Sequence, residues 1–498
     1  MKLTPRAYQL AIYNSVKENG NTLIVLPTGM GKTLIALMLI DEYSKKGKCM
    51  FLTPTKPLAK QHHDSIIEIL GLDEKDVALI TGEHPPAKRK EMYKKKIVVA
   101  TPQTINNDLK NKVAESDYEL CIIDECHRAV GDYAYVPIAE ALKQSLIVGM
   151  TASPGGKRER IKEVLENLKM INIEIRTSED PDVKPYIKKS TIKWITVQLS
   201  PKLRQIKANL DSLTSKYSRQ LGALGFPPPT KHKGMFLKLR ERILKAKGGY
   251  KYQALVKYSA LLNVLHMSEL VETQGIYPLK NYMEKVDERD SKSAKMLMNT
   301  GEIVEIKKLV YSGEEDHPKL KKLIEVVKSL NGKKMIVFAQ YRDQIKKIEE
   351  ELNGNGLDAR QFVGKREGVT RKMQEKTIAD FRNDDFDILV ASSIAEEGLD
   401  IPKVDAVIFY EPIPSEIRSI QRRGRAARLK EGEVYVLMTR ETRDEYYYWA
   451  SQNKEKKMKS VLNSMQTTIL RERARKEGKP LPKIERKISG QTRISHFT

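Results

Sequence analysis

Residues 26–33 read Leu-Pro-Thr-Gly-Met-Gly-Lys-Thr and follow directly on the apolar run Thr22–Val25. Gly29 and Gly31 let this loop turn its backbone N–H groups toward phosphate oxygens, with Pro27, Thr28 and Met30 completing the cradle. A helix starting at Lys32 points its positive end at the same anion. The Lys32 ammonium can reach a β/γ-phosphate and the Thr33 hydroxyl can hold Mg2+. Leu26 stands where the strict form of this loop has glycine. A second cluster, Leu120-Cys-Ile-Ile-Asp-Glu-Cys-His127, ends an apolar run on Asp124 and Glu125. At a strand's C-terminal tip, Asp124 can bind Mg2+ and Glu125 can polarise the water that attacks a γ-phosphate. Arg425 and Arg428, three apart on one helix face, can present guanidinium groups to a phosphoryl group in transit. These residue types imply hydrolysis of a nucleoside triphosphate such as ATP.

Positioning them takes strands and helices in alternation. Between residues 1 and 180 the apolar runs 22–26, 49–53, 77–81, 97–100, 120–123, 146–151 and 171–175 read as strands separated by helical stretches. That is the rhythm of a doubly wound parallel sheet. Residues 316–440 repeat it with strands at 335–339, 359–363, 387–391, 406–410 and 433–439, without a phosphate loop. The stretch between reads as helix: Leu203, Ile206, Leu210, Leu213, Tyr217 and Leu221 form one stripe, broken at Pro227–Pro229. The expected fold class is α/β, two parallel-sheet domains with an all-α insertion between them. The expected domains are 1–184, 185–305 (helical and basic), 306–450, and a basic helix and tail at 451–498.

Composition narrows the class. At 40% apolar and 31% charged, the 498 residues describe a globular chain of two or three domains. No run of about eighteen uncharged apolar residues is present, and Met1-Lys-Leu-Thr-Pro-Arg6 lacks a secretory apolar core. Cys49, Cys121 and Cys126 have no zinc-like spacing and fit a reducing, cytoplasmic compartment. The net charge is +24. Residues 201–260 hold 14 Lys and Arg against 2 Asp and Glu, and residues 451–498 hold 13 against 4. Charge concentrated in this way points to a polyanion.

The motifs as a set resemble superfamily 2 helicases of the DECH form, and within them the archaeal Hef and Fanconi-anaemia M group. Two RecA-like motor domains are what this resemblance implies. It carries over residue by residue. Arg6 and Gln9, with Pro5 and Tyr8, match the adenine-recognition motif, in which Gln9 reads the base edge. Pro54, Thr55 and Lys56 with Gln61, and Thr101, Pro102 and Gln103, match motifs that grip a nucleic-acid backbone. His127, Thr151 and Ser153 match positions that couple hydrolysis to movement. Val337–Arg342, which includes Gln340, matches the fourth motif. Ala391–Pro402 matches the fifth, with Ser392 at the nucleic acid and Gly398 and Asp400 at ATP. Gln421–Arg428 matches the sixth, which assigns Gln421, Arg425 and Arg428 to catalysis. Ala427 replaces the usual glycine there.

The reading is an ATP- and Mg2+-dependent DNA helicase or translocase that remodels forked or branched DNA, including Holliday-type junctions. Lys231, Lys233, Lys238, Arg240, Arg242 and Lys245 of the insertion would hold DNA phosphates. The alternatives are a duplex-RNA-stimulated ATPase of the Dicer or RNA-sensor kind, and a nucleic-acid scaffold with a dead ATP site. Two partners are further expectations: a nuclease domain absent from this chain, and a sliding clamp that reads Gln491, Ile494 and Phe497. His62 and His63 read as solvated, and Tyr446–Trp449 as packing against the second domain.

Overall fold

The structure is a computed structural model that describes residues 3–177, 180–186, 192–229, 233–313, 315–330, 332–364, 369–392, 404–412 and 433–476. The chain divides into two units, 1–187 with 453–498, and 188–452. Among the described residues no helix is long and apolar enough to cross a membrane.

In the first unit, strands β1 (Thr22–Val25), β2 (Lys48–Leu52), β3 (Val77–Ile80), β4 (Ile97–Ala100), β5 (Tyr118–Asp124), β6 (Leu146–Thr151) and β7 (Asn172–Ile175) form one parallel sheet in the order β3-β4-β2-β5-β6-β1-β7. The helices are α1 (Ala7–Asn19), α2 (Lys32–Tyr43), α3 (Lys56–Leu70), α4 (Pro86–Met92), α5 (Pro102–Lys110), α6 (Tyr135–Ala141) and α7 (Arg158–Asn167). Strands such as Thr22–Val25 and Ile97–Ala100 are buried at every position, as a sheet covered on both faces requires. Helix α2 is buried from Ile35 through Ile40. An apolar surface all round places a helix inside the protein, so the helix that carries Lys32 is held rigidly. Strands β5, β6 and β1 are neighbours. Their C-terminal ends bring Asp124, Thr151 and the phosphate loop to one edge.

The second unit holds β8 (Ile192–Val197), β9 (Met335–Phe338), β10 (Ala359–Phe362), β11 (Ile388–Ala391), β12 (Ala406–Phe409) and β13 (Glu433–Thr439), all parallel, in the order β10-β11-β9-β12-β13-β8. Its α/β helices are α14 (Pro318–Ser329), α15 (Arg342–Gly354), α16 (Arg371–Arg382) and the long α17 (Arg443–Lys476), whose residues from Asn453 belong with the first unit. Between β8 and α14 lie α8 (Pro201–Ala223), α9 (Lys233–Lys245), α10 (Tyr250–Thr273), α11 (Ile276–Asp287), α12 (Lys292–Met298) and α13 (Gly301–Tyr311). The stripe from Leu203 to Leu221 is fully turned into their shared core. The Ser200 hydroxyl starts α8 by accepting from Leu203 N–H at 3.2 Å.

Two boundaries differ from the sequence reading. Residues 192–197 fall within the stretch expected to be helical, yet they form the edge strand of the second sheet by pairing with β13. The basic segment expected from residue 451 is the second half of a helix that starts at Arg443.

Buried charge joins α14 to α17 and, at the end of α10, joins the insertion to α17 and to the segment after β12. Lys319 of α14 and Asp444 of α17 pair at 2.9 Å with both side chains 0% exposed. Asp444 also accepts from the backbone N–H and hydroxyl of Thr439. At the end of α10, Glu272 accepts from the Arg443 N–H at 2.7 Å, Glu269 accepts from the Tyr447 hydroxyl at 3.1 Å, and the Gln274 amide donates to Glu411 at 3.4 Å. A buried charge left without such partners costs several kcal/mol, so each of these contacts fixes its neighbours.

Candidate active site

The phosphate loop has the backbone its glycines permit. Gly29 and Gly31 have φ of 81° and 74°, which side chains rarely adopt. A Cβ on Gly31 would also run into the Gln9 carboxamide. Gln9 is buried against the loop: its Oε1 accepts from Arg6 N–H at 2.8 Å, and its amide donates to Met30 O at 3.1 Å. The Tyr8 hydroxyl donates to the same carbonyl at 2.7 Å. The family resemblance implies that Gln9 reads a base edge. Its buried carboxamide also braces the loop, which satisfies its hydrogen bonds. The Arg6 guanidinium lies 4.6 Å from the centre of the Tyr186 ring. Together they offer a flat face at this end of the site.

Opposite the loop, the acidic pair sits at the tip of β5. Glu125 has φ 49° and ψ 44°, a left-handed conformation that is rare for a non-glycine residue and recurs at functional sites. Burial pushes the Glu125 carboxyl up. The His127 ring, Lys32 ammonium and Arg128 guanidinium outweigh it and hold the group below its usual value. His127 Nδ1 lies 3.2 Å from Glu125 Oε2 and 3.1 Å from the Thr151 hydroxyl. Thr151 Oγ1 in turn accepts from the Ser153 N–H at 3.1 Å. The Ser153 hydroxyl then donates to the Met458 sulfur of α17 at 2.9 Å. The residues read as a coupling set therefore form one chain, from the acid at the phosphate to a helix outside the sheet.

The donor set suits Mg-ATP. Two glycines open a nest of N–H groups for phosphate, and Lys32 Nζ, which donates to Leu26 O at 2.8 Å, lies against the loop. The Thr33 hydroxyl and the Asp124 carboxylate are hard oxygen ligands, which Mg2+ prefers. Glu125 is held beside this donor set by the His127 ring, whose Nδ1 lies 3.2 Å from its Oε2.

The motifs expected to grip a nucleic-acid backbone occupy the same edge of the sheet. Adjacent strands β2 and β4 run into α3 and α5, which begin just after Thr55 and Thr101. Lys56, Gln61 and Gln103 are at least partly exposed there, near two helix N-termini suited to phosphate. Thr101 and Pro102 are buried and Pro54 is half-buried. In the second unit, Gln340 and Ser392 follow the neighbouring strands β9 and β11. Gln340 is exposed, and Arg342 donates to Gly364 O at 2.8 Å. Lys238, Arg240, Arg242 and Lys245 are exposed on α9. Lys231, Gly398, Asp400, Gln421, Arg425, Arg428, Gln491, Ile494, Phe497 and the side chain of Lys233 lie outside the described residues.

Several functional positions escaped the sequence reading. His62, expected to be solvated, is buried. Its ring packs on Phe51 at 4.5 Å and its Nε2 lies 3.5 Å from Asp124 Oδ2. The spacing Ala59, His62, Ile66 carried that signal, since all three face inward from α3. Tyr186 and Met458 carried none, because each lies far along the chain from the residues it meets. Cys126, expected in a loop, is buried, and burial pushes the Cys49 thiol up to about 12, leaving it inert. Of the expected aromatic run, Tyr447 and Tyr448 pack within the second unit, while Tyr446 and Trp449 are exposed.

Comparison with known proteins agrees with this geometry. Residues 2–156 match the type III restriction enzyme res-subunit family, 209–317 an ATP-dependent RNA helicase helical bundle, and 318–430 the helicase conserved C-terminal domain. A Methanocaldococcus jannaschii protein named as an ATP-dependent RNA helicase is 38% identical over 480 residues, covering 93% of this chain and 61% of that protein. The Neurospora crassa ATP-dependent DNA helicase mph1 is 33% identical over 497 residues, covering 91% of this chain and 42% of that protein. The chain thus spans less than two thirds of either relative. The crystal structure of the Pyrococcus furiosus Hef helicase domain matches with a TM-score of 0.71 at 40% identity, covering 90% of this chain and 98% of that one. The chain belongs to the superfamily 2 helicases of the Hef and Fanconi-anaemia M group, and is an ATP-hydrolysing helicase.

Proposed function

We propose that this helicase uses ATP and Mg2+ to move on DNA and to remodel forks and other branched junctions. In the reaction, Thr33 and Asp124 would hold Mg2+, which would supply positive charge to offset the negative charge of the phosphates. Lys32 and the loop N–H groups bind and orient those phosphates. Glu125 holds the attacking water in line and takes up its proton. Arg425 and Arg428 stabilise the charge on the transferred group, the role a guanidinium plays in this chemistry. Movement is relayed from Glu125 through His127, Thr151 and Ser153.

One observation carries the choice of a branched polyanion. Helix α9 presents Lys238, Arg240, Arg242 and Lys245 to solvent, with no ion-pair partner among the described residues. Its neighbours are engaged: Lys207 pairs with Asp211 at 2.7 Å and Lys216 with Glu302 at 3.3 Å. A grip on phosphates borne by an insertion clamped to a motor domain gives a second hold on the substrate, away from the tracked strand. That is what junction preference requires. The test is ATPase stimulation and strand displacement across single-stranded DNA, forks, four-way junctions and duplex RNA. Stimulation that is highest with forks or junctions is expected. Equal stimulation by plain single strands would overturn the junction preference.

A second reading, a duplex-RNA-stimulated ATPase, is favoured by the names carried by the helical-bundle family and by the Methanocaldococcus relative. The duplex-RNA arm of the same assay decides between them.

A further inference from the structure

Helix α9 is held to the insertion by a narrow stripe. Leu239 and Ile243 are buried, and the Tyr258 hydroxyl donates to Phe236 O at 2.8 Å. The helix ends in a short hairpin that leads into α10, with Gly248 at φ +125°, a region essentially reserved for glycine. The end of α9, the connection and the first turn of α10 together read Leu244-Lys-Ala-Lys-Gly-Gly-Tyr-Lys-Tyr252, with Tyr250 and Tyr252 in that first turn. Tyr250 is 68% exposed, more than any other large apolar side chain among the described residues, and Tyr252 is 58% exposed. Leu244 beside them is also exposed. The Lys292 ammonium lies 5.3 Å from the centre of the Tyr252 ring. Lys245 and Lys247 are exposed on the same tip.

Isolated exposed apolar groups are ordinary, but two tyrosines and a leucine interleaved with lysines at one hairpin are not. The surrounding charge selects the occupant. A segment with 14 cationic residues against 2 anionic ones attracts a polyanion. A polyanion whose flat faces match exposed tyrosine rings is nucleic acid. The rings further select which part of it. Inside a continuous duplex every base face is covered by its neighbours. Only a single strand, a duplex end or a branch point offers an open face.

Building on the proposed DNA-binding role of α9, we propose that Tyr250 and Tyr252 form a base-stacking tip that takes unpaired bases at the branch, next to the phosphates held by α9. The basic face supplies affinity for any duplex. The two rings supply the preference for a place where pairing is interrupted.

The two contributions separate experimentally, because stacking releases no counterions and phosphate contacts do. The full chain is titrated with a fork carrying 2-aminopurine at the branch, a fully paired duplex of equal length, and a single strand. Four proteins are compared: wild type, Y250A/Y252A, Y250F/Y252F, and a variant with Lys238, Arg240, Arg242 and Lys245 changed to Gln. Y250A/Y252A is expected to lose about tenfold or more in affinity for the fork. Its duplex affinity and salt slope should hold, and the branch 2-aminopurine should lose its binding-induced quenching. The phenylalanine variant keeps its rings and should behave as wild type. The charge variant should flatten the salt slope on every substrate. Suppose the charge variant flattens the slope but Y250A/Y252A binds fork and duplex as wild type does, or weakens on both equally. The stacking tip is then overturned while the phosphate-binding role of α9 stands, and unchanged affinity for both would mark the tip as a protein-docking surface. If neither variant changes binding, both readings fall.

Discussion

In the first unit Glu125, His127, Thr151 and Ser153 lie within a hydrogen bond or ion pair of one another, and His127, Thr151 and Ser153 are buried. On α9, Lys238, Arg240, Arg242 and Lys245 stand in solvent with no ion-pair partner among the described residues. The same kinds of polar side chain are arranged in opposite ways. Stabilising a transferring phosphoryl group needs dipoles already fixed before the reaction, in a site where water cannot rearrange around them. Holding a duplex backbone needs charge that can adjust to phosphates passing in many registers. A buried, interlinked group is therefore the mark of chemistry here, and an unpaired exposed cation the mark of contact.

Substitutions of groups that act on the phosphoryl group should have the largest effects. Arg425→Ala or Arg428→Ala should lower kcat by about 10³-fold or more, with ATP affinity nearly retained, since the guanidinium acts on the transition state. Lys32→Ala should abolish steady-state phosphate release while DNA binding persists. An arginine variant with weakened ATP binding and normal kcat would remove that residue from catalysis.

The pair Lys319–Asp444 sharpens the comparison, because it is buried yet has no role in chemistry. It joins α14 to α17 within the second unit. Lys319→Met should destabilise the chain by about 3–5 kcal/mol, because Asp444 is left buried without its cation. Thermal or urea unfolding measures it. The double change Lys319→Met with Asp444→Asn should recover most of that loss, because a neutral amide oxygen leaves no charge behind and still accepts from Thr439. A single variant as stable as the parent would show that the pair is not a clamp.

What the sequence disclosed follows the same division. The phosphate loop, the acidic pair and nearly every strand of both sheets were legible because each is local: an apolar run followed by its turn. Edge strand β8 was not, because Ile192–Val197 pairs with residues some 240 positions later and its first three residues are exposed. The Lys319–Asp444 pair spans 125 positions, and no composition rule marks a lysine in an amphipathic helix as buried. His62 was misplaced because its neighbours Gln61, His63 and Asp64 are polar, although its own spacing from Ala59 and Ile66 pointed inward. Periodicity outranks neighbouring polarity in such a helix.

His317 gives a smaller effect with a defined sign. Its Nδ1 accepts from Lys319 N–H at 3.2 Å, and its Nε2 faces Glu272 O at 3.3 Å. That arrangement suits the neutral ring with hydrogen on Nε2. Burial, with the Lys319 charge, holds its pKa well below the usual value. The unfolded chain therefore binds more protons than the folded one below about pH 6.5. The stability tied to the neutral ring is full above that pH and is lost as pH falls through it, by up to about 1.4 kcal/mol per pH unit. His317→Asn keeps a capping oxygen for α14 and should remove this slope. Urea midpoints of both proteins between pH 7.5 and 5.5 test it. Parallel curves would mean that His317 is already charged in the fold.

The smallest effects per residue belong to α9, and they test the other side of the comparison. Lys238, Arg240, Arg242 and Lys245 are exposed, so single changes to Gln should leave folding stability within about 0.5 kcal/mol. Each should instead lower the log–log slope of fork binding against salt by about 0.9 if its phosphate contact is direct. Fork affinity at fixed salt should fall only a few-fold per residue, and all four together should fall much further. The pattern would differ in kind from the fixed region, where one side chain removes activity altogether. If single α9 changes left the slope untouched while one of them alone abolished binding, these cations would be acting as a fixed, preorganised site, and the line drawn between chemistry and contact would fail.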